Sequence, residues 1–272
     1  MLRERKGMAM DLVQNYTIWK EMMKAGEALP AWQTAFVKFY QAFIEGNRWQ
    51  QYLEGVGVTL MVTAMALLLG ILLGVVVAVI RTAHDQQRLG QKNFFLGIVN
   101  FICKVYVTII RGTPMMVQLL IMSFVIFKSS RQFTLVGTLT LGINSGAYVA
   151  EIIRGGLMSL DPGQAEAGRS LGLGYADTMR FIVIPQAFKA ILPALGNEFI
   201  ILLKDTSLIS VIGGKEVLYF ARAIADRNYE QMFPLVGTAC IYLVLVMIFT
   251  WLQGKLERRL RQIGRASCRE RV

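Results

Sequence analysis

Four polar residues stand in or beside long apolar runs: Asn144, Glu151, Asn197 and Glu198. Burying a carboxylate in hydrocarbon is costly, so an intramembrane charge marks a route, an ion pair or a partner contact. Arg111 and Thr113 sit just before Pro114, at a point where an apolar segment must break. Glu198 and Arg111 are candidates for opposite charges along a solute path, and equally for a structural pair that never meets solute. No His, Cys, Asp or Glu cluster has metal-ligand spacing, and no nucleophile–base pair emerges. The phosphate-binding pattern Gly-x-x-x-x-Gly-Lys-Ser/Thr is absent, so the chain has no ATP-hydrolysing loop of its own. No cofactor is implied.

The elements that hold these residues are membrane helices. Of 272 residues, 54% are hydrophobic and 17% charged, against about 25% charged in soluble domains. That composition excludes disorder, and 3 Cys exclude a disulfide scaffold. Cys103 and Cys240 read as small hydrophobes. Gly55 to Ile80 and Met232 to Gly254 carry no charge over 26 and 23 positions, and a spanning helix needs about 20. Both are apolar all round, unlike the alternating strands of a barrel. With three weaker runs, spans are expected at 55–80, 98–127, 133–153, 181–203 and 232–254. The second breaks near Gly112–Pro114, and Gly70-x-x-x-Gly74 in the first permits close helix packing. The expected fold is all-α, a polytopic membrane protein with five transmembrane helices. The first apolar run begins too late and is too long for a signal peptide.

Residues 1–54 mix charge with aromatics, and Phe36, Phe39, Tyr40 and Phe43 fall at helical spacing. They read as an amphipathic helix at the membrane surface or as a partner-binding helix. The net charge of +11 matches basic residues flanking spans and facing membrane lipid. No nucleic-acid module is recognisable. With the C-terminus inside, segments 81–93, 151–180 and 255–262 hold ten basic residues against eight on the outer flanks. The Lys255–Arg261 cluster is the best indicator of this arrangement. Residues 263–272 resemble translated adapter sequence, with no periodicity and no expected continuation of the preceding helix.

Ser159 to Tyr175 differs from the other connectors. Asp161 and Pro162 start a helix, and Gln164 occupies a capping-box position. Gly172 and Gly174 end it, and Asp177 can start the next. Ala165, Ala167 and Gly168 are small, and Glu166 is acidic. Such a helix fits close docking, or an ordinary amphipathic connector.

Glu166-Ala167-Gly168, Gly172, Ile182 and Ile184-Pro185 repeat the spacing of a pattern found in integral-membrane subunits of ATP-binding-cassette importers. Gly168 stands where that pattern has Ala, and Ile184 where it has Leu. Arg111-Gly-Thr-Pro114 before Gln118, Asn144-Ser-Gly-Ala-Tyr148, Ala150 to Gly156, and Pro193 to Glu198 resemble the polar amino acid branch of these permeases. The resemblance implies a type I importer in the cell membrane. In it two permease subunits pair around a path, and an extracytoplasmic amino-acid-binding protein delivers substrate. Cytoplasmic ATPase subunits each receive one coupling helix within 155–180. It assigns ATPase coupling to Glu166, Ala167, Gly168, Gly172, Ile182 and Pro185; by their own placement in or beside the spans, Arg111, Thr113, Asn144, Glu151, Asn197 and Glu198 are the candidates for the path, with helix–helix hydrogen bonding the alternative for the polar groups. A permease domain over 55–262 follows. An ion-coupled secondary amino acid carrier would need internal repeats and broken helices in matching halves. Neither is visible, and an embedded enzyme lacks a catalytic constellation.

Overall fold

A computed structural model describes residues 14–85, 87 and 93–269, the stretch 261–269 by backbone alone. Arg88 and Lys92 of the first basic loop, and the last three residues of the chain, lie outside the described residues. Every element among the described residues is helical. Helix α1 (14–24) and α2 (Ala31–Phe43) form a hairpin ahead of α3 (Arg48–Asp85), and α4 (Phe94–Gly112) and α5 (Met115–Ile121) follow. Then come α6 (Phe133–Met158), α7 (Pro162–Ser170), α8 (Tyr175–Thr178), α9 (Ile184–Asp205), α10 (Val217–Asn228) and α11 (Met232–Arg269). Among the described residues, five helical stretches are long and apolar enough to cross a membrane: 31–85, 94–112, 133–158, 175–212 and 232–260.

The centre of the bundle is the α3–α6 pair, built on glycine. A Cβ on Gly70 would lie 2.7 Å from Ser145 Oγ, and one on Gly74 2.6 Å from Val149 Cγ1. In return, a Cβ on Gly142 would lie 2.6 Å from Leu69 Cδ2. Two small-x-x-x-small ridges therefore interlock, which lets the backbones approach as membrane helices do. The register, 70 beside 145 and 74 beside 149, makes α3 and α6 parallel. Helix α9 runs the other way, from Ile191 at Gly156 to Glu198 at Ser145. Helix α4 is also antiparallel to α6: Cys103 packs with Val77 and Ala150, and Tyr106 donates to the Ile143 carbonyl at 2.5 Å. Helix α11 crosses α9 antiparallel, with Phe199 on Phe249 (centroids 4.7 Å) and Gln253 Nε2 donating to the Pro193 carbonyl at 3.2 Å.

Outward faces are apolar. Leu68, Leu72, Val76 and Val79 on α3, and Leu243, Val244, Met247 and Trp251 on α11, are more than half exposed. Such stripes are unfavourable in water and suit hydrocarbon. The chain breaks at Thr113–Pro114, both in extended conformation, because Pro114 has no N–H to continue the helical ladder.

The ends of α3, α6 and α11 lie together with α7 at one end of the bundle. The hairpin and α10 lie at the other. Glu216 starts α10: its buried carboxylate accepts from the Leu218 and Tyr219 amides at 2.8 Å and from the Tyr242 hydroxyl at 2.6 Å, pinning α10 to α11. Helix α2 uses its aromatics differently from a helix resting on lipid alone. Phe36 and Tyr40 face α1 through Trp19 and Tyr16. Phe39 and Phe43 face Phe233 and Tyr52, and the Phe43 ring fills the space a Cβ on Gly237 would need. Lys38 pairs with Glu230 at 2.6 Å. At the other terminus the α11 backbone continues to Arg269, so the helix does not stop before residue 263 as expected.

Candidate functional site

Two regions carry the residues singled out above. The first is α7. Asp161 caps it, accepting from the Gly163 amide at 2.9 Å, and Pro162 occupies its first turn. Gly172 closes it with φ +80°, while the Leu173 amide bonds the Gly168 carbonyl at 3.2 Å, a glycine-terminated helix end. Gln164 does not fold back on the cap; its side-chain amide pairs with Gln186 on α9 at 3.2 Å. Asp177 does not start the next helix. Gly174 is the residue before α8, and Asp177 lies within its first turn.

Gly168 is the one buried residue of α7. It faces the end of α8 and the wide turn Met179–Val183 that leads into α9, where Thr178 and Ile182 close over it. Glu166 and Ala167 project outward and are exposed. Pro185 lies in the first turn of α9, where a missing N–H costs nothing. The segment is thus a short rigid lever, seated on α9 by one face and presenting small residues and a carboxylate on the other.

The second region is a polar face on α4, α5 and α6. Asn144, Tyr148 and Glu151 recur at helical spacing on α6, so they share one side. Asn144 Nδ2 donates to Gln118 Oε1 at 2.9 Å, and Gln118 Nε2 donates to Thr113 Oγ1 at 2.8 Å and to the Ile110 carbonyl at 2.7 Å. The missing N–H of Pro114 frees the Ile110 carbonyl for this bond. The Arg111 guanidinium lies 5.3 Å from the Tyr148 ring centroid and 3.9 Å from Glu151 Oε2. Glu151 also bonds Arg81 of α3 through Oε1, and Arg154 at 3.3 Å. Glu151 therefore joins three helices. Arg81, Arg111, Glu151 and Arg154 border an open cleft of about 590 Å³ that also takes in Lys104 and Thr108, one helical turn apart on α4.

Arg111, Thr113, Asn144 and Glu151 thus converge, and Glu198 does not join them. The residue is 5% exposed, between α6 and α9, and its carboxylate accepts from Ser145 Oγ at 2.8 Å. The expected Glu198–Arg111 pair is not formed, because Ser145 points about 100° around α6 from Asn144. Asn197 is exposed on α9, nearly opposite Phe199 and the α11 contact. Gln118 and Tyr148 enter the sequence reading only as members of resembling motifs, and Arg81 and Lys104 are not among its candidate site residues. Tyr148, four residues after Asn144 and three before Glu151, carried a readable signal in its spacing. The Arg81–Glu151 contact, 70 residues apart, carried none.

The comparisons agree on the class of molecule. A family model described as the inner membrane component of binding-protein-dependent transport systems matches residues 89–262. The glutamine transport system permease protein GlnP of Escherichia coli (strain K12) is 38% identical over 169 residues, covering 60% of this chain and 77% of that protein. The arginine transport system permease protein ArtQ of Bacillus subtilis (strain 168) is 37% identical over 183 residues, 61% of this chain and 83% of that one. The crystal structure of an amino acid ABC transporter with histidines superposes with TM-score 0.70 at 38% identity, over 77% of this chain and 94% of that chain. An inward-facing structure of the MetNI methionine ABC transporter shares the fold, with TM-score 0.67 at 17% identity, over 80% of this chain and 99% of that chain. The chain belongs to the family of inner membrane components of binding-protein-dependent transport systems.

Proposed function

We propose that this chain is the permease subunit of an importer for polar amino acids, moving solute along the polar face of α4, α5 and α6. The observation that carries the reading is that face itself. Lys104, Thr108, Arg111, Thr113 and Gln118 on one side, and Asn144, Tyr148 and Glu151 on the other, form a polar strip across helices whose remaining outer surface is apolar. Hydrocarbon penalises such a strip by several kcal/mol per charge, so it faces water, solute or a second permease. Asn197 is the contribution from α9. Glu198 belongs to the helix core in this reading.

Energy enters from outside the chain. Helix α7, with Glu166 and Ala167 exposed and Gly168 seated on the turn before α9, receives a cytoplasmic ATPase. Force on α7 passes directly into α9, and so biases two arrangements of the bundle. An extracytoplasmic binding protein delivers the amino acid at the hairpin end, and a second permease, identical or related, completes the path. The permease domain in this reading is 55–262, and residues 263–272 are an adapter-derived tail, which resequencing the locus tests.

Reconstitution decides the main reading. With its ATPase, second permease and a loaded binding protein in proteoliposomes, the complex should accumulate a polar amino acid only when ATP is present. Uptake driven by an ion gradient without ATP would make the chain a secondary carrier instead.

A further inference from the structure

The cleft on the polar face is unbalanced in charge. Arg81, Lys104, Arg111 and Arg154 line it against one carboxylate, Glu151. Glu151 is already shared among three guanidinium groups, one through Oε1 and two through Oε2. Donor capacity is left over. Arg154 Nε is buried without a hydrogen-bond partner, and Lys104 forms no ion pair among the described residues. A second polar cavity, of about 700 Å³ at the hairpin end between α3, α6 and α10, carries Arg131 and Lys215 and no acidic side chain. Clefts of one sign with low-dielectric walls concentrate solutes of the other sign. A buried donor without an acceptor is a cost that an anionic ligand removes.

We infer that the polar face takes an amino acid with an acidic side chain in preference to an uncharged one, and rejects cationic amino acids, its carboxylates being received by Lys104, Arg111 and Arg154. The inference rests on the polar face being the solute path. A carboxylate here gains charge-assisted bonds to planar guanidinium donors, and a lysine- or arginine-like side chain meets four like charges with one acceptor already engaged.

The binding protein has its own selectivity, so the test omits it. The permease pair with its ATPase, held in lipid nanodiscs, is equilibrated with radiolabelled glutamate, glutamine or arginine. Glutamate should bind most tightly, glutamine next and arginine least. Lys104→Gln, at a side chain without an ion pair, should weaken glutamate by roughly tenfold, the scale of one charged hydrogen bond, and glutamine by less, so that the glutamate-to-glutamine ratio falls. Arg111→Gln should act in the same direction. Arginine binding as tightly as glutamate, or an unchanged glutamate-to-glutamine ratio in Lys104→Gln, overturns the inference. If a cysteine at Asn144 still reports solute while arginine is preferred, the path reading survives and only the charge preference falls. If none of the three amino acids binds and Asn144 reports nothing, the path reading falls, and this inference with it.

Discussion

The end of the Ile182 side chain occupies the space that a side chain on Gly168 would need: a Cβ there would lie 2.8 Å from Ile182 Cδ1. The two residues are 14 positions apart, and both belong to the spaced pattern of the α7 segment. Their contact explains the spacing. The turn at Gly172 reverses the chain, and the wide turn before α9 brings Ile182 back over Gly168.

Bulk at Gly168 should therefore unseat the lever without removing the protein from the membrane. Gly168→Ala asks both Ile182 Cδ1 and Thr178 Cγ2, 2.9 Å from such a Cβ, to give way, and the better helix propensity of Ala offsets up to about 1 kcal/mol of that cost. Gly168→Leu cannot be accommodated so. It should abolish ATP-driven uptake at normal membrane levels, with co-purification of the ATPase as the readout. Glu166→Lys should reduce ATPase attachment by reversing an exposed charge. Gly172→Trp should also do so, since φ of +80° penalises any side chain by about 1–2 kcal/mol. Normal attachment in all these variants would remove α7 from the coupling role.

Glu198 and Ser145 form a buried hydrogen bond between α6 and α9. Glu198→Gln keeps the shape and an acceptor for Ser145, so uptake and substrate preference should change less than about twofold, given that such bonds in membrane bundles average about 0.6 kcal/mol. Glu198→Ala leaves a cavity and an unpaired hydroxyl, and should lower the melting temperature of the detergent-solubilised complex. A changed substrate preference in Glu198→Gln would put this residue back on the path.

The bundle geometry places Ser159, after α6, and Lys215, before α10, at opposite ends. In a background lacking Cys103, Cys240 and Cys268, single cysteines at the two positions should label from opposite faces of intact cells, with Ser159 inside. Labelling from one face would contradict five crossings.

The Lys38–Glu230 pair fastens α2 to the turn before α11. The hydrogen bond from Lys38 holds the Glu230 carboxyl below the usual carboxylate range. A depressed folded-state pKa contributes stability that is present above the unfolded value, about 4.3 for Glu, and lost as pH falls through the lower folded value. Amide exchange in α2 should thus accelerate below about pH 4, and Glu230→Gln should show the faster exchange already at pH 7. Equal protection of α2 in both proteins at pH 7 would show that the aromatic contacts alone hold the hairpin.

The readable parts of this molecule were local. Charge-free runs set the membrane helices, Asp161–Pro162 and Gly172 set the ends of α7, and Pro114 set a break, because each acts through its own backbone or its immediate neighbours. Contacts between distant helices were not readable. Nothing near Glu198 in sequence points to Ser145 rather than Arg111, and nothing near Arg81 points to Glu151. The choice is made by the glycine ridges of α3 and α6, which fix the rotation of α6 and so decide that Asn144 faces Gln118 on α5 and Glu151 faces the cleft while Ser145 faces α9. The aromatics of α2 were legible as one helix, but not as two faces packed on α1 and α11, because that depends on the gap left at Gly237.

The central claim is that solute passes along the Asn144–Tyr148–Glu151 face. Its most direct test is cysteine accessibility in the transporting complex. In a background without native cysteines, Asn144→Cys and Tyr148→Cys, with Val244→Cys on the apolar face of α11 as control, are treated with a small hydrophilic thiol reagent in proteoliposomes. Modification at 144 and 148 should block ATP-driven amino acid uptake and be slowed by saturating substrate, while Val244→Cys keeps full uptake. Uptake unaffected by modification at 144 and 148, or inactivation that substrate does not slow, would show that the solute takes another route.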